Sequence, residues 1–332
     1  MLDRQRIVTT GITTTALASV ALVLWLKPWN TEKIAPPLDP VHETPAATHP
    51  VDIVFAVDTT GSMGGLLDGA KRTVWSIANQ VRNIDPSADL RVGLVAYRDL
   101  GDDYVTKDFA LTDDLDAMYA ELSSYQAAGG GDVPENVDAA LYDAVHKMTW
   151  RTGAKKMIFL VGDAPPASRG EVPTFDVTAR DAAKYQIKIN TIRCGQDGET
   201  AQAWQKIAML GSGEFSTIQQ DGGVQQIATP YDDRMAALAA EIDSTTVVYG
   251  DDFARHRYAA KLAAAEAAPA AAKADRGIYF AKKGTVSAKP AEDVVGGVAS
   301  GAVSIDGLDD GKLPADMRGK SKAELEADLK AR

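Results

Sequence analysis

Asp58-Thr59-Thr60-Gly61-Ser62-Met63 sets one carboxylate and two hydroxyls at alternate positions of a short glycine-containing segment. Alternate residues can point the same way, so Asp58, Thr60 and Ser62 can face a common point. All three are hard oxygen donors, which suit Mg²⁺, Mn²⁺ or Ca²⁺ rather than zinc. The same residue types also cap helices, because their side-chain oxygens accept from the first free amides of a helix. The segment alone leaves both readings open. Catalytic signatures are absent: there is no His-Glu-x-x-His, no phosphate-binding loop and no Gly-x-Ser-x-Gly. Thr60-Gly61-Ser62-Met63-Gly64 comes near the last but lacks its first glycine. His42, His49, His146 and His256 are scattered and form no metal-ligand spacing.

The elements that must carry this segment are legible in the periodicity. Residues 51–57 form a β-rich run that delivers Asp58, and Leu67, Ala70, Val74, Ile77 and Val81 then recur at helical spacing. Strands are expected at 90–97, 104–111, 156–161, 187–192 and 215–218. Helices are expected at 113–126, 137–148, 175–185, 201–209 and 224–248. Strands alternating with helices imply an α/β fold, a doubly wound and mostly parallel sheet flanked by helices. Ligands of such sheets gather at the C-terminal strand ends, where the strand order switches. The loops after the first, second and fourth long strands should therefore converge at one end.

A D-x-[ST]-x-S arrangement after the first strand is the signature of the von Willebrand factor type A domain, and the sequence resembles that family over residues 51–250. The resemblance implies a Rossmann-like sheet and a metal-ion-dependent adhesion site. It also implies two further ligands, one from a loop between helices and an Asp after the fourth strand. Asp163, in Gly162-Asp163-Ala164-Pro165-Pro166, matches the latter. The middle loop departs from the integrin-like form, which has threonine there. Gly129-Gly130-Gly131-Asp132-Val133-Pro134-Glu135 instead resembles a subgroup found in bacterial proteins and beside alpha-kinase domains. Asp132 is the candidate ligand in that loop, although an Asp just before Pro134 also suits a helix cap. Glu135 reads as a first-turn charge complementing the helix dipole. A third carboxylate should hold the metal more firmly and make an acidic partner residue less assured. Arg98 and Asp99, followed by Asp102 and Asp103, should lie on the same rim in a supporting role, Arg98 by pairing with a carboxylate. Cys194 reads as a buried structural thiol.

Residues 7–26 carry no charge and are long enough to span a membrane, with Arg4 and Arg6 favouring a cytoplasmic N-terminus. Residues 1–27 are accordingly expected to be a stub and anchor helix that leaves the rest outside the cytoplasm. A cleaved signal peptide is the alternative, but cleavage after Ala16-Leu17-Ala18 would fall inside the apolar run. Residues 28–50 hold six of the chain's 15 prolines and read as a stiff linker. Residues 251–332 form an extension: an Ala-rich helix at 253–274 broken near Pro269, a glycine-mixed stretch at 278–311, and a capping-box start at Ser321-Lys322-Ala323-Glu324. Whether this tail packs on the domain or stays a polar appendage is open at this level. The net charge of −11 over 332 residues argues against a nucleic-acid partner. The sequence thus points to a non-enzymatic module that binds an unidentified protein through a divalent cation, Mg²⁺ first, tethered in the bacterial envelope. The alternatives are a metal-dependent hydrolase and a structural assembly protein acting through its tail.

Overall fold

The structure, a computed structural model, describes residues 48–131, 134–219, 229–283 and 292–332. The anchor expected at 7–26, nearly all of the linker and Asp132 lie outside these residues. Among the described residues no helix is long and apolar enough to cross a membrane.

Among the described residues six strands form one sheet: β1 (His49–Asp58), β2 (Ala88–Tyr97), β3 (Thr106–Thr112), β4 (Lys155–Gly162), β5 (Ile187–Cys194) and β6 (Ser212–Ile218). Their order is β3-β2-β1-β4-β5-β6, all parallel except the β2–β3 pair. The order reverses direction beside β1, which pairs with β2 on one side and β4 on the other. Asp58 lies level with Tyr97, and Val57 with Val161. The loops after β1, β2 and β4 therefore open at one end of the sheet, at its switch point.

Alternation along β1 feeds two cores. Val51, Ile53 and Val57 face one cluster, while Val54 and Ala56 face the other. The first face is covered by α1 (Gly64–Ile84) and α2 (Leu115–Ser124), which bury Leu67, Val74, Trp75 and Val81, and Met118 and Leu122. The second is covered by α3 (Val137–Tyr142), α4 (Phe175–Lys184) and α5 (Gly198–Leu210). α3 is shorter than the helix expected over 137–148, because residues 143–147 widen into a π-helical turn. The closing helix is also shorter than expected: α6 spans Asp232–Thr245, and Val247 beyond it pairs instead with the segment at Asp293.

The tail packs. Pro269 separates α7 (Asp252–Ala267) from α8 (Ala270–Lys283), and α8 runs well past the 274 expected from its alanines. Ala272 and Tyr279 of α8 join the first core, where Trp75 meets Tyr119, Tyr279 and Phe280 with ring centroids 5.9, 5.6 and 5.8 Å away. The contact carries a buried ion network: Arg276 donates to both carboxylate oxygens of Asp116 on α2, at 2.6 and 2.7 Å, and also pairs with Asp243 of α6. Beyond it, α9 (Val294–Ala299) and α10 (Lys322–Ala331) enclose a small third core of Val247, Val294, Leu313, Met317, Leu325 and Leu329. The capping box at Ser321 and Glu324 is formed as the sequence suggested.

Candidate metal centre

β1 ends on Asp58 at the C-terminal end of the sheet, and the one earlier charge in the strand, the buried Asp52, is neutralised by Arg91 and Arg151. The chain then turns. Thr59 bonds back to the end of β2: its amide donates to Tyr97 O at 3.0 Å and its hydroxyl to the same oxygen at 3.1 Å. This turn lets Thr60 fold over Asp58, its amide donating to Asp58 Oδ1 at 2.8 Å and its hydroxyl at 2.6 Å. A 3₁₀ turn over Gly61–Met63 follows and leads into α1. Ser62 Oγ lies 3.5 Å from Thr60 Oγ1 and faces solvent, whereas Asp58 and Thr60 are buried. The turn thus carries one carboxylate and two hydroxyls from depth to surface.

The glycine loop closes over this turn. Ala128 N donates to Thr59 O at 3.1 Å and Gly61 N to Gly129 O at 3.3 Å. Gly129 and Gly130 have φ of +79° and +83°, a region that disfavours side chains, and a Cβ on Gly129 would collide with the Asp102 carboxylate. That carboxylate instead accepts from Gly130 N at 3.2 Å. On the other side, the loop after β4 brings Asp163, half-buried, close enough for its charge to disfavour ionisation of Asp58.

Glu135 occupies a place the sequence reading missed. α3 begins only at Val137 and is capped by Asn136, whose side chain accepts from Ala139 N at 3.1 Å. Pro134 therefore lies before the helix rather than in its first turn, and Glu135 is not a dipole-complementing surface charge. It is 3% exposed. Its backbone is splinted to the Asp163 loop, its amide donating to Pro165 O at 3.0 Å and its carbonyl accepting from Ala167 N at 2.8 Å. Glu135 Oε1 lies 3.6 Å, and Thr60 Cβ 3.4 Å, from where a Cβ on Gly130 would stand, so both side chains border Gly130. The available signal was the Asn that follows Glu135, as good an N-cap residue as Asp132.

Two oxygens at this place lack partners. Asp58 Oδ2 and Glu135 Oε2 are buried and make no hydrogen bond. Burial raises the Asp58 carboxyl from 3.8 to about 7, opposed by the Thr60 bonds and, more weakly, by the Asp163 backbone, and reinforced by the Asp163 charge. Burial likewise raises Glu135 from 4.5 to about 8, reinforced by Asp58, Asp99, Asp102 and Asp163. An acid whose folded pKa is raised stabilises the fold below its unfolded pKa, and that contribution is lost as pH climbs through the folded value. The metal-free protein is therefore expected to lose thermal stability from about pH 4 to about pH 8, the window set by these two groups. Unfolding midpoints in chelator across that range check this, and a midpoint that rises with pH contradicts it.

Arg98 and Asp99 are both buried on the rim. Arg98 donates to Thr59 O at 3.2 Å and Gln126 O at 2.9 Å and stacks on Tyr104 at 4.5 Å. Its carboxylate contact is the exposed Asp103, at 3.5 Å, so it stitches the loops together rather than offsetting the buried acids. Asp99 is paired with Arg169 in a two-bond contact. Cys194 is buried, and burial pushes its thiol well up, as a structural role requires. Among the described residues no set of three or more His, Cys, Asp or Glu side chains converges as an ion-ligating group. The donors that do converge are carboxylate and hydroxyl oxygens together.

Gly162 is what allows β4 to pass the site. A Cβ there would collide with Tyr97 Oη and stand 3.2 Å from Trp204 and 3.3 Å from Asp58 Cβ. Gly162→Ala is expected to cost about 1–3 kcal/mol through overpacking. Adding Tyr97→Phe should return part of it in urea denaturation, and no return would place the strain elsewhere.

A model of the von Willebrand factor type A domain matches residues 52–230. The chain is 27% identical over 218 residues to the human von Willebrand factor A domain-containing protein 7, covering 62% of this chain and 23% of that protein. It is 27% identical over 123 residues to the alpha-protein kinase vwkA of Dictyostelium discoideum, covering 36% of this chain and 19% of that one. The chain thus spans only about a fifth of these curated relatives' lengths. Among solved structures, BatB of Bacteroides thetaiotaomicron superposes with a TM-score of 0.39 at 18% identity, over 51% of this chain and 90% of that one.

Proposed function

Because this chain belongs to the von Willebrand factor type A domain family, a family of protein-interaction and adhesion modules, we propose that it docks a protein partner at a divalent cation. Asp58, Thr60, Ser62 and Asp163 would hold the ion. Asp132 remains a further candidate from the sequence alone. The observation that carries this reading is the Asp58 Oδ2 atom, buried and without a partner beside two hydroxyls at the sheet's switch point. A buried carboxylate oxygen with no partner is costly, and cation coordination is one of the few ways to relieve it. The donor set is all oxygen, which fits Mg²⁺ first and Mn²⁺ or Ca²⁺ next. A bound cation supplies a positive contact point for an oxygen of the partner. The protein's own residues set where that point stands: Thr60 orients Asp58, and Ser62 brings the site to the surface.

The module acts by binding rather than turnover, a reading supported by the absence of hydrolase motifs from the sequence. The charge-free run at 7–26 would tether it in the bacterial envelope, facing outside the cytoplasm, with residues 28–50 as spacer. Calorimetric titration of Mg²⁺, Mn²⁺ and Ca²⁺ into the chelator-treated full chain in mild detergent tests the core of the proposal. Saturable one-site binding is expected. Its absence with all three ions removes the metal-dependent reading.

A further inference from the structure

The closing helix α6 carries an apolar face that the described chain leaves half used. Its place on the core is taken by the tail: Ala272 and Tyr279 of α8 enter the first core, and among the described residues no core cluster includes a residue of α6. α6 lies on α8 instead. The buried Ala239 packs where Gly277 leaves room, since a Cβ there would stand 3.3 Å from Ala239 Cβ. Asp243 is held by Arg276 at 2.7 Å. These contacts fix which side of α6 faces inward. Tyr231, Met235, Leu238 and Ile242 recur at steps of four, three and four residues, so they form one stripe along the border between that side and solvent. Met235 and Leu238 are half-buried, but Ile242 is 50% exposed and Tyr231, at the N-cap, is 73% exposed. A contiguous apolar stripe left open on an outer helix marks an interaction surface more than scattered apolar residues do. Beside it lie the exposed Arg234 and Glu241, two helical turns apart on one flank. Neither side chain has an ion-pair partner among the described residues.

We propose that α6 is a self-association surface, on which a second copy of this chain packs its own α6 antiparallel about a two-fold axis. The charge pattern selects this occupant. A surface shaped for an acidic or a basic partner carries one sign beside its apolar stripe, whereas this flank carries one charge of each sign. With the axis passing between the helices level with residues 237 and 238, Arg234 of one copy stands opposite Glu241 of the other, and the reciprocal pair forms at the far end. Leu238 then lies at the centre of the contact, with Tyr231 and Ile242 toward its ends. α6 spans 14 residues, about 21 Å of helix. A contact one helix wide buries less than a standard interface, so the association is weak and concentration-dependent. It requires no cation.

Sedimentation of the full chain in mild detergent and chelator, over rising protein concentration, tests this. The parent is expected to shift reversibly from monomer toward dimer. Ile242→Glu should lower the association constant by about tenfold or more, because a charge enters the apolar stripe. Its unfolding midpoint should match the parent's, since the residue is half exposed; this second readout shows that the variant folds. Arg234→Glu and Glu241→Arg each set like charges opposite one another twice, and each should dimerise more weakly by about tenfold or more. Mixed in equal amounts, the two single variants should associate with each other at the parent's strength, because every charge then meets its opposite. Rescue by mixing arises only from reciprocal pairing between copies. A parent that stays monomeric overturns the proposal, and so does a dimer whose strength Ile242→Glu leaves unchanged, as association through residues 7–26 alone would give. If Ile242→Glu weakens the dimer but mixing the charge-reversed variants restores nothing, the two-fold pairing of α6 is wrong.

Discussion

Replacing Asp58 by alanine is expected to abolish saturable Mg²⁺ binding, lowering affinity by about a hundredfold or more, since it removes a ligating charge from the deepest point of the site. Two consequences separate this from general damage. At Mg²⁺ concentrations about a hundredfold above the dissociation constant, the parent gains about 2.7 kcal/mol from binding, and the variant gains nothing. In chelator the variant loses the two bonds from Thr60, each worth about 1 kcal/mol, but also loses a buried acid, so the net change should be small. Asp58→Asn makes the control sharper. It keeps an oxygen for Thr60 and removes only the charge, so the turn should persist while Mg²⁺ binding goes. Calorimetry and thermal unfolding with and without Mg²⁺ read both. Unchanged Mg²⁺ affinity in Asp58→Asn would falsify the assignment of Asp58.

The second large effect lies far from the site. Arg276 is 4% exposed and Asp116 is 1% exposed. Breaking a buried ion pair by removing one member leaves the other charge buried alone, which costs about 3–5 kcal/mol. Arg276→Leu is expected to destabilise the chain by that amount. Because Asp243 also loses its partner, the effect should lie at the upper end. Exchanging the whole network for apolar residues, Arg276→Leu with Asp116→Leu and Asp243→Leu, should recover much of the loss, as buried ion networks often give no net stability over good apolar packing. Urea denaturation measures both. If Arg276→Leu changed stability by less than about 1 kcal/mol, the well below the buried-pair range, the C-terminal helices would be only loosely docked.

Much of the sheet was legible because its signals are local. The continuous apolar run into Asp58, the Trp75-bearing helix and the β4 run ending in Gly162 each declare themselves within about ten residues. The same holds for Asp58, Thr60 and Ser62, which lie on one turn. Glu135 was missed because its role depends on where α3 starts, and Asp132, Pro134 and Asn136 all offer start signals within five residues. Only the Ala139 N bond to Asn136 decides among them. The docking of α8 was illegible for a different reason. Its alanines alone mark no partner, and it docks through Tyr279 and Phe280 on the distant Trp75 and through Arg276, whose partners lie 160 and 33 residues away. Spacing carries no information about contacts of that kind.

That separation also has a consequence in time. The α2 helix reaches its folded surroundings only when α8 arrives, and Asp116 waits for a residue 160 positions later in synthesis. At typical elongation of roughly 5–20 residues per second, the delay is on the order of ten to thirty seconds. During it the nascent sheet can form while Trp75 and Asp116 stay uncovered. The arrival of α8 then ends this vulnerable period, and a chain interrupted before residue 276 is expected to remain a target for chaperones and proteases.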